Sequence, residues 1–385
     1  MDLLIGADFV PTNSNSVLFE SGDIQTLFGL ELIDLCKNAT FRIFNLEMPL
    51  CDNADPINKC GPNLMGSKNT IHAYEKLNVT AVTLANNHIT DQGNQGLQDT
   101  MSLLNKHGID FFGAGNNLSE ARRPYIIAVN NKRVGIYACV EHEFSVATDS
   151  LPGACPFDPL YSLDEISKLR ELCDYVIVLY HGGKEHYRYP SPQLQKKTCR
   201  RMVEKGANVV LCQHSHCVGC EEKYENGIIV YGQGNFLFDD SSEECWQTGL
   251  LVGVDIGEKI HCSYFPVKKV GNKVRLAKEK EKDDILTQFN ARSNLIKNPE
   301  FVITKYNEFS DALLDHYLIA FSGKRSMLNR ILNRLSGYRF SKFAVRRKYD
   351  RKAMTVIRNF VECEAHREVS LNALIRATEE KKSDC

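Results

Sequence analysis

The sequence predicts a mixed α/β fold that ends in a helical tail. Three observations carry that prediction. Over the first two-thirds, short apolar runs alternate with amphipathic stretches, the order expected of strands and crossover helices. The run Tyr175-Val176-Ile177-Val178-Leu179-Tyr180 is almost continuously apolar, as in a strand buried on both faces. Beyond Lys278-Glu279-Lys280-Glu281-Lys282 strand signals cease and only helical spacing remains.

Taken in order, Leu3 to Gly6 reads as a strand and Ile24 to Lys37 as the helix after it. Phe41 to Phe44 is a second strand. A short helix, His72 to Leu77, precedes the β-branched run Val79 to Leu84. Gly96 to His107 has helical spacing, and Gly108 stops it. Ile109 to Phe112 is another strand. Tyr125 to Asn130, the turn Asn130-Asn131, and Arg133 to Val140 form a hairpin. The helix Asp164 to Leu172 leads into the apolar run, and Ser191 to Lys205 leads into Val209 to Cys212. Ile228 to Tyr231 is a strand. Gly249 to Ile256, Lys259 to Val267 and Lys273 to Leu276 read as antiparallel. The mixed-charge run predicts a boundary between residues 1–277 and a basic helical region, 278–385. Val302 to Phe321, Ser326 to Leu335 and Ala353 to Ile375 are its expected helices, with breaks at Gly323 and Gly337.

The 385 residues balance 47 basic against 48 acidic side chains, with 43% apolar and 25% charged residues, which excludes a mainly disordered chain, a collagen-like fibre and a generally basic nucleic-acid coat. No apolar run reaches the roughly 18 residues of a membrane span. The start, Met1-Asp2-Leu3-Leu4-Ile5-Gly6-Ala7-Asp8, lacks a basic n-region, so no signal peptide and a cytoplasmic location are expected. Fourteen cysteines without framework spacing fit reduced thiols. Cys217-Val218-Gly219-Cys220 has metal-type spacing but no second pair nearby, so two partly buried thiols in the loop after His216 are the simpler expectation.

The chemistry gathers where strands end. Asp8, Glu47, Asn87-His88, His181 with Glu185, and His214-Ser215-His216 each follow an apolar strand, and ligands in open α/β sheets bind beyond strand carboxyl ends. Singly, each is an ordinary cap or turn residue. Together they predict one rim. Two residues apart in a strand share a face, so an extended His214-x-His216 would aim both rings at one site. Carboxylate, amide and imidazole donors favour manganese, iron or zinc. A bridging carboxylate would hold two ions roughly 3.5–4 Å apart across an in-line displacement, with a further His or Glu protonating the leaving group.

These residues sit in motifs that resemble the CapA family of poly-γ-glutamate capsule biosynthesis proteins, which have a calcineurin-like metallophosphatase fold. The motifs are Gly6-Ala7-Asp8, Asn45-Leu46-Glu47-Met48-Pro49, Ala85-Asn86-Asn87-His88-Ile89-Thr90-Asp91-Gln92-Gly93, His181-Gly182-Gly183-Lys184-Glu185, His214-Ser215-His216 and Tyr231-Gly232-Gln233-Gly234-Asn235-Phe236-Leu237-Phe238-Asp239. Gly113-Ala114-Gly115-Asn116, Glu120-Ala121 and Pro124 follow the same order, so the resemblance runs from about Met1 to Val270. It implies a four-layer α/β/β/α sandwich with one or two divalent ions. By that resemblance Asp8, Glu47, Asn87, His181, His214 and His216 are metal ligands. His88 contacts phosphate or the leaving group, Glu185 is an acid–base or supporting residue, and Asn235 contacts substrate. Two positions depart from general metallophosphatases: Val10 stands where they have His, and Glu47 where they have Asp. The capsule proteins' N-terminal membrane anchor also has no counterpart in these residues.

The expected function is a metal-dependent phosphohydrolase-type protein linked to poly-γ-glutamate, capsule or another cell-surface polymer. Its expected partners are an anionic phosphoester or polymer substrate and a capsule-synthesis complex. The alternative is a non-catalytic polymer-binding or assembly component with a vestigial metal site. From Ser322 to Arg358 twelve Lys or Arg face one acid, Asp350, interleaved with Tyr338, Phe340, Phe343 and Tyr349. That suits a solvated helix face, attraction of 322–358 to an anionic polymer, a membrane surface or nucleic acid, or docking onto an acidic patch of the main domain. A nuclease-type role is the weaker alternative, and nucleic acid is not the expected partner.

Overall fold

The computed structural model describes residues 1–322 and 339–379. The expected helix Ser326 to Leu335, the breaks at Gly323 and Gly337, Tyr338 and residues 380–385 lie outside the described residues. Contacts divide the chain into two units, Met1–Ile303 and Thr304–Cys385.

The first unit holds two large sheets. One has the order Lys273–Leu276, Ile260–Val270, Thr248–Ile256, Leu3–Val10, Phe41–Asn45, Ala81–Thr83, Asp110–Phe112, and Leu237–Phe238 pairs with the end of Leu3–Val10. From Leu3–Val10 to Asp110–Phe112 neighbours are parallel; the other three strands form an antiparallel meander. The second sheet has the order Glu221–Tyr224, Gly227–Val230, Val209–Gln213, Tyr175–His181, Lys132–Val140, Tyr125–Val129. Its four central strands are parallel.

Side-chain alternation builds the layers. Leu3, Ile5, Ile136, Ala138, Ile177, Leu179, Val209 and Leu211 share the core between the sheets. Their neighbours point the other way. Leu4, Phe44 and Val82 pack under Leu27, Leu32, Leu97 and Leu104, from the helices Ile24–Lys37 and Gly93–Lys106. Tyr137, Val178 and Val210 pack under Ile166, Leu169, Cys199 and Met202, from Ser162–Leu172 and Gln195–Glu204. The result is the four-layer α/β/β/α sandwich. The parallel strands need apolar residues on both faces, which explains their unbroken apolar runs.

Two local features shape the sheets. Asn130 and Asn131 both take positive φ, 51° and 61°, as a tight two-residue hairpin turn requires. Leu3–Val10 is longer than the expected Leu3 to Gly6, because Phe9 and Val10 pair with Leu237 and Phe238. A bulge between Ile5 and Asp8 shifts its register against Phe41–Asn45, so Asp8 lies opposite Asn45. Bulges of this kind re-aim a side chain.

The helix Glu279–Leu295 follows the mixed-charge run. Its Phe289 joins the inter-sheet core, and its Arg292 donates to the carbonyls of Gly219 at 2.7 Å and Val218 at 3.0 Å. The second unit is helical. Its described helices are the remainder of Pro299–Phe321, then Arg339–Lys348, Arg351–Glu362 and Glu364–Glu379. The run expected as one helix, Ala353 to Ile375, breaks at Cys363, whose ψ is 119°. No described helix is long and apolar enough to cross a membrane.

Candidate metal centre

The bulged first strand sets Asp8 fully buried at the edge of the sandwich. Asn45, at the end of the next strand, donates through Nδ2 to Asp8 Oδ1 at 2.8 Å and lies 3.3 Å from His181 Nδ1. Asn86 supports it from the third strand, donating to Asn45 Oδ1 at 2.9 Å and to the Leu46 carbonyl at 2.8 Å. This amide chain ties three strand ends together and fixes the turn that presents Glu47.

Glu47 is buried, with Oε1 3.2 Å from His181 Nε2. The same nitrogen lies 3.0 Å from Asn87 Oδ1, and Asn87 Nδ2 donates to Glu143 Oε2 at 2.8 Å. Glu143 therefore decides which end of the amide faces inward. The His181 and His214 rings are 4.8 Å apart, and His216 lies 6.2 Å beyond His214. Ligand atoms of Glu47, His181 and His214 all lie within 4.8 Å of one another.

The histidine pair converges by a different route from the one expected. The strand ends at Gln213, and His214 and His216 take positive φ, 83° and 54°. Extended alternation therefore does not aim them; a turn with left-handed residues does. Such backbone is costly for a residue with a side chain and clusters at functional sites. His216 stacks on Trp246, centroids 4.1 Å apart, and its Nδ1 is 2.8 Å from Asn235 Oδ1 and 3.5 Å from Asp8 Oδ2.

The electrostatics split the cluster. For Asp8, burial favours the neutral acid, but the bonds and charges of His216, His181 and Asn45 together hold its pKa below the usual range. Glu47 goes the other way: burial and then the Asp8 charge push it up, against the two histidines. Burial opposes charge on His216, yet Asp8 and Glu47 raise it to about 9. His181 is likewise raised, by Glu47 and then Asp8, against its burial. His214 is pushed well below the ordinary imidazole value, by burial first and then by the charges of His181 and His216. It is therefore a neutral ring with a lone pair to offer.

Among the described residues several buried atoms here lack a well-aligned hydrogen bond: Asp8 Oδ2 and Glu47 Oε1, which have only the ion-pair contacts to His216 and His181, and Glu47 Oε2, His214 Nδ1 and Asn235 Nδ2. Buried polar groups are otherwise nearly always paired. The Asp8 and Glu47 oxygens and His214 Nδ1 offer lone pairs of the kind a divalent cation fits, whereas Asn235 Nδ2 is an N–H donor.

His88 sits beside this cluster. Its Nδ1 is 2.6 Å from Asp91 Oδ2, and Lys59 pairs with the other Asp91 oxygen. The Lys59 side chain is 3% exposed and the Asp91 side chain 0%. Glu185 stands apart: it is half-buried, and no hydrogen bond or ion pair ties it to the cluster. Val10 packs in the outer apolar core and offers no ligand. Cys217 and Cys220 are buried, and burial pushes both thiols up.

The family model described as bacterial capsule synthesis protein PGA_cap matches residues 8–240, a span that holds every one of these candidates from Asp8 to Asn235. The chain belongs to the PGA_cap family. Among relatives of this PGA_cap member, the capsule biosynthesis protein CapA of Bacillus anthracis is 32% identical over 212 residues, covering 53% of this chain and 51% of the relative. The PGA biosynthesis protein CapA of Bacillus subtilis (strain 168) is 31% identical over 180 residues, 46% of this chain and 47% of the relative. The chain thus spans about half the length of the curated relatives it matches. Among solved structures, the calcineurin-like phosphoesterase YfkN from Bacillus subtilis aligns at 13% identity and a TM-score of 0.37, over 78% of this chain and 98% of its own. A hypothetical protein from Thermus thermophilus aligns at 15% identity and 0.47, over 70% and 100%.

Sequence reasoning missed Lys59, Glu143 and Trp246, and gave Asn45 no role. Trp246 was open to notice, being the chain's one tryptophan. Nothing local marks Lys59 or Glu143, which reach the site from loops distant in sequence.

Proposed function

We propose that this PGA_cap member binds one or two divalent ions, manganese, iron or zinc, through Asp8, Glu47, Asn87, His181, His214 and His216. It would act as a phosphoester hydrolase in the synthesis of capsule, poly-γ-glutamate or another cell-surface polymer. The observation that carries this reading is the convergence of unpartnered buried donors at the strand ends. Bound ions would neutralise phosphate charge and supply hydroxide near neutral pH.

The chain's own residues do the rest. Asn45 and Glu143 hold Asp8 and Asn87 in place before substrate arrives. Asp91 holds His88 through Nδ1, leaving Nε2 to exchange a proton with a leaving group. Asn235 accepts from His216 and keeps its unpartnered Nδ2 to donate to a substrate oxygen.

The test is metal analysis of purified protein beside His214→Ala/His216→Ala, with turnover measured on a phosphoester panel. Stoichiometric transition metal in the wild type alone, with metal-dependent turnover, is expected. Absence of both would overturn the reading. One observation favours a second: Val10 supplies no ligand where general metallophosphatases have His. In that reading the chain is a polymer-binding or assembly component, and metal binds without turnover.

A further inference from the structure

A groove of about 690 Å3 runs along the helix Gln195–Glu204, on the outer face of the second sheet and away from the metal cluster. Lys196, Lys197, Arg200 and Arg201 line it from that helix, and Lys297 from the turn before Pro299–Phe321. Glu204 is the one acid among the described residues of its lining. Helical spacing repeats the Lys196/Lys197 pair at Arg200/Arg201, one turn or about 6 Å further on. The cations therefore form a stripe along the groove rather than a point.

Part of this charge is neutralised from below. Lys196 donates to the Ile296 carbonyl at 2.7 Å and lies 3.5 Å from Glu222. Arg200 forks onto Glu222, and Arg201 meets Glu204 at 2.6 Å. Among the described residues Lys197 has no ion-pair partner, and the Lys297 ammonium bonds only the neutral Asn294 amide, at 2.9 Å. Five cations against Glu204 and Glu222 leave the groove positive by three charges.

A solvated helix face would also be basic, but it would not be concave over hydrocarbon. Here Pro192, Pro299, Val302 and Ile303 share the lining with the cations. A ligand that satisfies both carries negative groups spaced by methylenes. Inorganic polyphosphate has the charge without the hydrocarbon. A single-stranded nucleic acid gains affinity by stacking its bases on aromatic faces, and Tyr224, the one aromatic among the described lining residues, already carries Arg200 over its ring at 4.6 Å.

We propose that this groove binds an extended polycarboxylate chain, a glutamyl polymer, in which carboxylates meet the Lys197–Arg201 stripe and methylenes lie on Val302 and Ile303. The choice of probe rests on the capsule-polymer reading above; the groove itself is independent of the metal centre and shares no residue with it.

The experiment measures binding of fluorescent poly-γ-glutamate to the full chain, with a chelator present throughout. Wild type is compared with Lys197→Glu/Arg201→Glu, both exposed, and with Lys297→Glu on a separate element should the double variant fail to fold. The double charge reversal should weaken binding about tenfold or more, and rising salt should weaken the wild type. His214→Ala/His216→Ala should bind polymer as wild type does. No binding, or equal binding by the charge-reversed variants, would overturn the proposal. Competition by polyphosphate as effective as by polyglutamate would overturn the identification of a carboxylate chain. Failure of the metal reading looks different: no metal in the wild type, with polymer binding intact.

Discussion

The apolar layer between the sheets and the polar rim at their strand ends are equally buried, and they are built on opposite principles. Ile5, Leu179 and Leu211 bury hydrocarbon against hydrocarbon, with their backbone groups paired in ladders. A few residues further along the chain, Asp8 and His181 at strand ends and His214 in the turn after Gln213 bury charge and lone pairs, some without well-aligned partners. Removing an ion from water costs several kcal/mol unless it is compensated. Strand interiors therefore hold the sandwich together, and strand ends give up part of that stability to stay open to a ligand. Metal should leave the first region untouched and reverse the energetic sign of the second.

The largest effect belongs to the interior. Leu211→Ala should cost about 2–5 kcal/mol, the range for a cavity in a packed core. Denaturant unfolding should return the same loss with manganese or with chelator. A loss that depended strongly on metal would mean that layer and rim are one cooperative site, and the comparison would break.

Glu47→Gln is the next largest and should change sign. Burial and Asp8 raise the Glu47 pKa, so its charge opposes folding above the ordinary carboxylate range. Removing that charge should raise the stability of the metal-free protein relative to wild type as pH climbs above the ordinary carboxylate range, less whatever the lost pairing with His181 costs. The same change removes a proposed ligand, so the rise in Tm on adding metal should shrink. Destabilisation of equal size in both states would show that Glu47 is structural.

The two regions also differ in how far the sequence revealed them. The layers were legible because alternation is local: Val176 to Tyr180 must place every second side chain on each face, and both faces must be apolar. The candidate ligands stood out as motifs, but their geometry did not. The convergence of His214 and His216 depends on two positive-φ residues that no spacing rule signals. The extension of the first strand to Val10 depends on Leu237–Phe238, more than two hundred residues away. Supports such as Glu143 and Lys59 belong to long-range packing, which composition and periodicity do not carry.

Glu143 sharpens the comparison from the rim's outer side. It is exposed, and it touches the cluster through Asn87. Glu143→Ala should leave metal-free stability within about 0.5 kcal/mol of wild type. It should weaken metal binding about tenfold, the lower end for residues that orient ligands. Isothermal titration with manganese or zinc beside a melting curve separates the two readouts. Unchanged affinity would show that Asn87 keeps its orientation unaided, or is no ligand.

The smallest effect concerns a charge that is neither in the layer nor at the rim. Glu281 bonds Arg275 and the Lys278 backbone N–H at the start of Glu279–Leu295, and these contacts, Arg275 first, lower its pKa to about 2. A folded value below the ordinary 4.5 means a stabilising contribution that is complete above 4.5 and fades as pH falls towards 2. Glu281→Gln should therefore lower the urea midpoint modestly at pH 7, and the gap to wild type should narrow between about pH 5 and about pH 3. The gap should be insensitive to chelator, unlike that of Glu47→Gln. Exposed pairs are weak because water already solvates them. Glu47, with no water to compete, is where the same chemistry would serve the proposed metal, so a metal-dependent gap at Glu281 would remove burial as the distinction between the two carboxylates.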